Sequence, residues 1–357
     1  MFITKPLAFV AQYIDAVNQA LQQFDASKRL TRIQKSWLAF CIMGIFMART
    51  VCRAKFERAS LGKYSMAAIY WMFRKSKISW NWLLTAGTLA IIGRYGITHG
   101  VLVLDETDKK RSKSVKRIFK AHKIKDKASG GFVMGQSLVF LILVTPQITV
   151  PVGFRFYMPD PQLKKWNKLD EKLRKQGVAK KDRPAKPARD MNYPKVTEIA
   201  LALLRQFQLN FPNIKIDCIL ADALYGTKEF PDGASQIFND VQVISQIRKN
   251  QNVIFKNKSI SVEAYFAAHP GVEQRIQIRG GKVETVMVSS ARLKVCAHGK
   301  KRFVIALKYE GEEQYRYIVA TDMSWRTLDI VKAYTLRWLI EVFFEDFKVS
   351  EGQDRLT

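Results

Sequence analysis

The chain has 357 residues, of which 59 are Lys or Arg and 31 are Asp or Glu, so its formal charge is +28. Apolar residues make up 48% of the chain, which excludes a disordered or collagen-like protein and provides a core for two or three structural units. So large a positive charge on a folded chain indicates a polyanionic partner. Nucleic acid is favoured over an acidic protein or an anionic membrane surface.

The first part of the chain is expected to be helical. Apolar residues recur there at steps of three and four, which places them on one face of a helix. They are Leu7, Val10, Ile14, Val17 and Leu21. Further helices are predicted near residues 31–49, 65–76 and 79–95, and basic residues lie along them. We therefore predict a helical DNA-binding domain over residues 1–98.

No feature of the sequence indicates a membrane protein or a secreted one. The longest apolar run in the first half, Trp37 to Ala48, is too short to span a bilayer. The N-terminus lacks a basic region followed by a cleavable apolar stretch. The four cysteines are far apart and show no paired spacing, which is typical of a reducing compartment. We therefore expect a cytoplasmic protein with no membrane partner.

From Gly100 onward, short β-rich runs alternate with helical patterns. Strands are predicted for 101–104, 132–144, 149–158, 215–221 and 241–247, and helices for 194–209 and within 226–239. This order predicts an α/β fold, with a mixed sheet and helices on its faces. Residues 250–322 have an almost entirely β pattern, and a strong helix is predicted from Arg326 to Lys348.

Two stretches concentrate the positive charge. Lys109 to Lys127 holds ten basic residues and one acid, and Lys164 to Arg189 holds eleven basic residues and three acids. Both are predicted to be long loops. Such runs are usually solvated, but because these two flank predicted core strands, a surface that follows DNA phosphates is favoured. Lys109, Lys110 and Arg111 are the candidate contacts at the start of the first stretch.

Two aspartates follow apolar strand runs and are candidate ligands of a metal ion. Asp105 follows Val101–Leu104, and Asp222 follows the run 215–221. A carboxylate at a strand end lies on the rim of a sheet, where a site forms without burying the charge. The alternative for each is a simple turn or helix cap.

The last predicted helix carries polar residues at steps of three, four and seven. At about 100° per residue they fall within roughly 60° of arc, opposite an apolar face. They are Tyr334, Arg337, Glu341 and Lys348. The alternative is a solvated stripe in which Arg337 and Glu341 form an i,i+4 ion pair. Cleavage of a phosphodiester by two metal ions requires about three carboxylates, and neighbouring Arg and Lys side chains would hold phosphates.

These motifs together resemble those of the DDE transposases of bacterial insertion sequences, of the insertion-sequence-four type. The last helix matches that family's motif of Tyr, two residues, Arg, three residues, Glu, six residues, Lys. Asp105-Glu106-Thr107 and the segment Ala221–Gly226 match its two Asp motifs. The resemblance implies a ribonuclease-H-like catalytic core. Residues 99–249 would form its first part, 250–322 a β-rich insertion, and 323–357 its last helix.

The resemblance also implies the roles of individual residues and the partners. Asp105, Asp222 and Glu341 would be the catalytic triad and would bind Mg²⁺, with Mn²⁺ as a substitute. Tyr334, Arg337 and Lys348 would contact DNA. The partners would be the double-stranded DNA of transposon ends and target. A homodimer would form the synaptic complex, in a prokaryotic cytoplasm and on the nucleoid when bound to DNA.

The predicted function is therefore a transposase that binds terminal inverted repeats, cleaves them and transfers the 3′ ends to target DNA. Two alternatives stay open. One is a related metal-dependent nuclease or resolvase, which would cleave without strand transfer. The other is a truncated or domesticated DNA-binding protein without activity. The sequence has no P-loop, so no nucleotide cofactor is expected.

Overall fold

The structure, a computed structural model, describes residues 5–111, 118–126 and 128–350, and the side chains of all of these except residues 349 and 350. The described residues before His99 form helices with a core of their own. These helices are α1 (Ala8–Phe24), α2 (Arg32–Ala48), α3 (Arg53–Ala59), α4 (Met66–Lys75) and α5 (Trp80–Tyr95). Thr31 and Gln34 form a capping box at the start of α2. In the described part of the chain no single helix is long and apolar enough to span a membrane. Only α2 and α3 taken together have that length and composition, and they are bent by 93° relative to each other.

A twelve-stranded sheet is formed by the described residues that follow, in the order β2-β3-β1-β5-β6-β12-β11-β10-β7-β8, with β4 paired to β3 and β9 to β10. The strands are β1 (His99–Lys110), β2 (His122–Lys125), β3 (Phe132–Val144), β4 (Thr149–Tyr157), β5 (Lys215–Ala221), β6 (Gln242–Ile247), β7 (Asn252–Phe255), β8 (Lys258–Ser261), β9 (Val272–Gln277), β10 (Val283–Val295), β11 (Lys300–Tyr309) and β12 (Arg316–Ala320). β1, β5 and β6 are parallel and their other neighbours antiparallel. The predicted mixed α/β fold is confirmed.

The β-rich segment after β6 continues this sheet. β12 pairs with β6 in antiparallel register, from Tyr317↔Ile247 to Ala320↔Ile244. One short helix, α9 (Val262–Ala268), interrupts the predicted all-β pattern. The segment is thus fixed to the strand that lies beside β5, and β5 leads directly into Asp222.

Helices cover both faces of the sheet, and β1 shows how its side chains divide between them. Leu102 and Leu104 belong to the core packed under α7 (Val196–Asn210) and α8 (Glu229–Ile237). Val101 and Val103 belong to the core on the opposite face, under α10 (Thr327–Thr335) and α11 (Trp338–Glu345). Alternation along the strand then directs Asp105 toward the second face and Glu106 toward the first.

The last predicted helix is interrupted. α10 ends at Thr335 and α11 starts at Trp338, and five residues of π-helix, Asp346–Ser350, follow α11. At the break the N–H groups of Leu336 and Arg337 donate to carbonyls three residues back, at 3.0 and 3.1 Å. The single continuous helix was therefore a wrong prediction, because the chain tightens at Leu336 and Arg337, where Arg337 reaches Asp105 of β1. Residues 351–357 lie outside the described part of the chain.

The two basic stretches are also not simply loops. The first contains the end of β1 and all of β2, while residues 112–117 and 127 lie outside the described ones. The second begins with a helix, α6 (Pro161–Lys175), capped by Asp160. The predicted loop there is wrong. The sequence contained the signal: an Asp-Pro start followed by Leu163, Trp166 and Leu173 at helical spacing.

Candidate active site

Two carboxylates meet where the pairing of β1 with β5 stops. The last paired residues of these parallel strands are Val103 and Leu220. Asp105 lies two residues beyond Val103, and Asp222 lies two residues beyond Leu220. Asp222 is also a cap, because its Oδ1 accepts the N–H of Leu224 at 2.8 Å. The capping alternative is thus correct for Asp222, and it is compatible with a site since the second oxygen stays available.

Glu106 completes the cluster. One carboxylate oxygen each from Asp105, Glu106 and Asp222 lie within 4.8 Å of one another. Glu106 belongs to the Asp105-Glu106-Thr107 motif but was not among the residues predicted to bind metal. The alternation persists along β1, and Glu106 points toward the face of Tyr225. The carboxylates still meet because β5 no longer pairs with β1 at this level. Tyr225 Oη donates to Glu106 Oε2 at 3.3 Å and so fixes the third carboxyl.

Arg337 links Glu341 to this cluster. Its Nη1 lies 3.2 Å from Asp105 Oδ2, and its Nη2 forms an ion pair and hydrogen bond with Glu341 Oε1. Asp105, Asp222, Arg337, Glu341 and Lys348 all line one cleft of about 760 Å³. The structure therefore brings the predicted triad to one place, with Glu341 reaching it through the guanidinium of Arg337.

Tyr334 does not lie on an exposed stripe. Its side chain is only 3% exposed and belongs to the core beneath α10 and α11, whereas Trp338 is 61% exposed. Burial raises the pKa of the Tyr334 hydroxyl. The predicted stripe is therefore divided: Tyr334 joins the core, whereas Arg337, Glu341 and Lys348 line the cleft. A surface DNA contact by Tyr334 is not available in this structure.

The candidate DNA contacts at the end of β1 occupy three different environments. Lys109 is only 6% exposed, so its prediction as a surface contact is wrong. It lies on the same side of β1 as Asp105, against the packed face. Lys110 lines the cleft, and its Nζ lies 2.7 Å from Asp126 Oδ1. Arg111 donates through Nε to Gln136 Oε1 at 2.8 Å.

The carboxyl groups of the cluster are held in unfavourable surroundings for negative charge. Burial raises the pKa of Asp105 to about 6, and the charge of Asp222 acts in the same direction while Arg337 opposes it. Burial raises the pKa of Glu106 to about 7, and the charges of Asp222 and Asp105 add to the effect. Burial also raises the pKa of Asp222. A set of hard oxygen donors with excess negative charge fits Mg²⁺ or Mn²⁺.

Glu106→Gln is expected to stabilise the metal-free protein at high pH. The pKa of Glu106 is raised in the folded state from its ordinary 4.5 to about 7, so the carboxyl costs stability once it ionises. The variant should therefore match the wild type below about pH 4.5 and exceed it above about pH 7, by on the order of 2 kcal/mol.

Urea unfolding at the two ends of this pH range, in the presence of a chelator, measures the effect. Adding Mn²⁺ at high pH should reverse the order of stability, because the wild type gains more from the ion. Equal stability of the two proteins at both pH values would show that the ionised Glu106 carboxyl does not destabilise the folded protein.

A buried histidine holds the turn that carries Asp222. His298 Nε2 donates to the carbonyl of Gly226 at 2.9 Å, while its Nδ1 accepts from Arg302 Nε at 3.1 Å. Arg302 in turn forms an ion pair with Asp232 at the start of α8. Burial lowers the pKa of His298, which keeps it neutral. A Cβ on Gly226 would collide with the carbonyl oxygen of Gln246, so this turn is tightly seated.

His298→Ala is expected to weaken Mn²⁺ binding about tenfold, because groups that orient metal ligands have effects of that size. His298→Gln should restore binding, since an amide both donates and accepts. The matched control is His269→Ala: His269 also bonds a backbone carbonyl, that of Tyr265 at 2.7 Å, but within its own helix turn. Calorimetric titration of Mn²⁺ without DNA is the measurement. Equal losses in the His298 and His269 variants would exclude a positioning role.

Comparison with known proteins identifies a family. The family described as DDE superfamily endonuclease matches residues 22–277, a range that contains Asp105, Glu106 and Asp222 and ends before Glu341. A search of curated proteins found no match.

Two solved structures show a weak likeness. The NurA nuclease from Sulfolobus solfataricus has 9% identity and a TM-score of 0.30, over 66% of this chain and 72% of that one. Endonuclease V from Ciona intestinalis, a variant bound to a 23mer DNA containing an inosine followed by a ribo-adenosine, has 11% identity and a TM-score of 0.29, over 66% and 75%. At these scores neither likeness supports an argument about this chain.

Proposed function

We propose that this chain, which belongs to the DDE superfamily of endonucleases, is a transposase of the insertion-sequence-four type. It would bind the terminal inverted repeats of its element, cleave them and join the freed 3′ ends to target DNA. The observation that carries the proposal is the cleft lined by Asp105, Asp222 and Glu341, with Arg337 between two of the carboxylates.

Asp105, Asp222 and Glu341 would hold the metal ions, with Glu106 beside them as a fourth carboxylate. Bound Mg²⁺ or Mn²⁺ would activate the attacking oxygen and stabilise the leaving one. The protein's own contribution is to fix the ligands: the ends of two paired strands set Asp105 and Asp222, and Tyr225 holds Glu106.

Arg337 and Lys348 would hold the nucleic acid. In the metal-free protein the Arg337 guanidinium neutralises Asp105 and Glu341. Once those carboxylates bind a cation, the planar fork becomes available to grip two oxygens of a phosphate. Lys348 lines the same cleft and would contact, as a point charge, a phosphate further along the DNA strand. The partner would be double-stranded DNA, and two copies of the chain would meet in a synaptic complex on the nucleoid of a prokaryotic cytoplasm.

A second candidate is an endonuclease that cleaves without strand transfer. Asp105, Glu106 and Asp222 already form a three-carboxylate group without Glu341, and this favours a site complete within the matched range. Catalysis would then tolerate the loss of Glu341, whereas a transposase of the proposed type would not.

One reaction distinguishes these possibilities. The protein is incubated with linear DNA that carries the inverted repeats flanking its own coding sequence, with a supercoiled plasmid as target, and with Mg²⁺. A transposase yields repeat ends joined to the plasmid, and a chelator abolishes them. Nicks without joined products would support the nuclease. Absence of both products, at protein concentrations that saturate the DNA, would overturn the proposed activity.

A further inference from the structure

Between β4 and α7 the chain leaves the sheet and forms a separate projection, residues 160–190, here called the arm. α6 leads outward and an extended segment returns. The base is closed by Asp160, whose Oδ2 accepts the N–H of Asp190 at 3.2 Å. Arg189 adds an ion pair with Glu198, in the first turn of α7, at 2.7 Å. The two ends of the arm, at Asp160 and Asp190, are therefore adjacent.

The arm is held together by contacts of its own. Asp160 caps α6 by accepting the N–H groups of Gln162 and Leu163 at 2.9 and 3.2 Å. Trp166 Nε1 donates to the carbonyl of Pro184 at 2.9 Å, and Arg183 pairs with Asp170 at 2.9 Å. None of the fifteen residues of α6, all of which are described, is buried. The helix thus projects into solvent with its return segment laid along one side.

The other side of α6 is a row of lysines. Lys164, Lys168, Lys172 and Lys175 recur at steps of four, four and three, so they fall within about 80° of arc along about 16 Å of helix. Leu163, Trp166 and Leu173 lie on the opposite side. Lys175 also pairs with Glu171 at 2.9 Å. A folded helix presents these charges in a fixed row, which a flexible loop would not.

We propose that the lysine row of α6 binds the phosphate backbone of duplex DNA outside the carboxylate cleft. The inference rests on the proposed function, and it assigns the arm as a second DNA contact. Protein interfaces are built around buried apolar anchors. Here the indole N–H of Trp166 is already bonded to the carbonyl of Pro184, and Lys186 Nζ lies 6.0 Å from the centre of its ring. A row of ammonium groups without an apolar centre instead suits phosphates, which are contacted as point charges.

The test reverses the charge of the row. Lys164→Glu, Lys168→Glu and Lys172→Glu are combined in one variant, and Lys256→Glu, Lys258→Glu and Lys294→Glu, three exposed lysines of the β-rich segment, form the matched control. Binding of labelled random-sequence duplex DNA is measured over a salt series. Each phosphate contact contributes about −0.9 to the slope of log K against log salt, so the arm variant should be shallower by about 2 to 3. Cleavage of a short duplex that fills only the cleft should persist.

The outcomes separate the arm from the proposed function. If the wild type itself binds duplex DNA without a salt-dependent slope, the proposed function fails. If the wild type binds but the arm variant keeps its slope, or the control loses as much, the arm is a solvated surface and the inference is wrong. Preference for duplex RNA in competition would also overturn it. A second variant, with residues 161–189 replaced by a short Gly-Ser linker between the adjacent Asp160 and Asp190, should give the same shallow slope.

Discussion

Asp105→Asn and Asp222→Asn should each abolish metal-dependent DNA cleavage while leaving DNA affinity nearly unchanged. Each substitution replaces a charged oxygen ligand by a neutral amide at the place where β1 and β5 stop pairing. Bound metal ions supply several kcal/mol of transition-state stabilisation, so the loss in rate should be about a thousandfold or more. Nicking of supercoiled plasmid with Mg²⁺ measures cleavage, and gel-shift titration with a chelator measures binding.

Asp217→Asn is the matched control for this pair. Asp217 is an aspartate of the same strand β5, but it lies near the opposite end, with Oδ2 at 3.3 Å from His99 Nδ1. Its loss should leave cleavage intact. Because the neutral variants also relieve repulsion between buried carboxylates, they should raise the melting temperature of the metal-free protein. Loss of DNA binding in parallel with cleavage would make Asp105 and Asp222 structural residues instead of metal ligands.

Arg337→Lys should impair cleavage far more than DNA binding. The variant keeps the charge, but one ammonium cannot grip two oxygens of a phosphate as the planar guanidinium fork would once Asp105 and Glu341 bind a cation. Losing a hydrogen bond to a charged group costs about 1.5–3 kcal/mol, so the rate should fall by about ten- to a hundredfold. Single-turnover cleavage at saturating protein separates this loss from any change in affinity.

Arg337→Ala goes further and leaves Asp105, whose side chain is 15% exposed, without its cation. The destabilisation should reach at most about 3 kcal/mol, because Glu341 is 38% exposed and partly solvated. Mn²⁺ should recover more stability in this variant than in the wild type. Arg326→Ala is the control, since Arg326 pairs with Asp329 at 2.9 Å on an exposed surface. If the Arg326 and Arg337 variants lost equal stability, Arg337 would form only an ordinary surface ion pair.

Much of the sheet and its carboxylates could be predicted from local pattern. A β-branched apolar run that stops at an acid places that acid at a strand end, and this holds for Asp222 after β5. Asp105 does not lie at a strand end, because β1 continues to Lys110 beside β3. The carboxylate lies at the end of pairing with β5 and not at the end of the strand. Sequence cannot show this, because the length of each pairing depends on a partner far along the chain.

The arm was predicted wrongly for a different reason. Its helical pattern is present in the sequence, but other features favoured a loop. Asp160-Pro161 begins a helix, and Leu163, Trp166 and Leu173 have helical spacing. Eleven basic residues in the stretch and the glycine and prolines after α6 favoured a loop. In the structure the side of the helix that carries Trp166 has a partner in the return segment, because Trp166 Nε1 donates to the carbonyl of Pro184. That contact joins residues 18 positions apart, beyond the range of periodicity within one element.

By itself, the sequence determined a basic protein with a mixed α/β fold, two acids that follow core strands, and a spacing of four residues that lets Arg337 pair with Glu341. Each follows from short-range rules of burial and spacing. Only the tertiary structure decided that Glu106 joins the cluster, that Tyr334 and Lys109 are buried, and that Arg337 bridges two carboxylates 232 and 4 residues away. Those outcomes depend on which face a helix presents to the sheet and where strand pairing stops. Both are set by packing among segments distant in the chain.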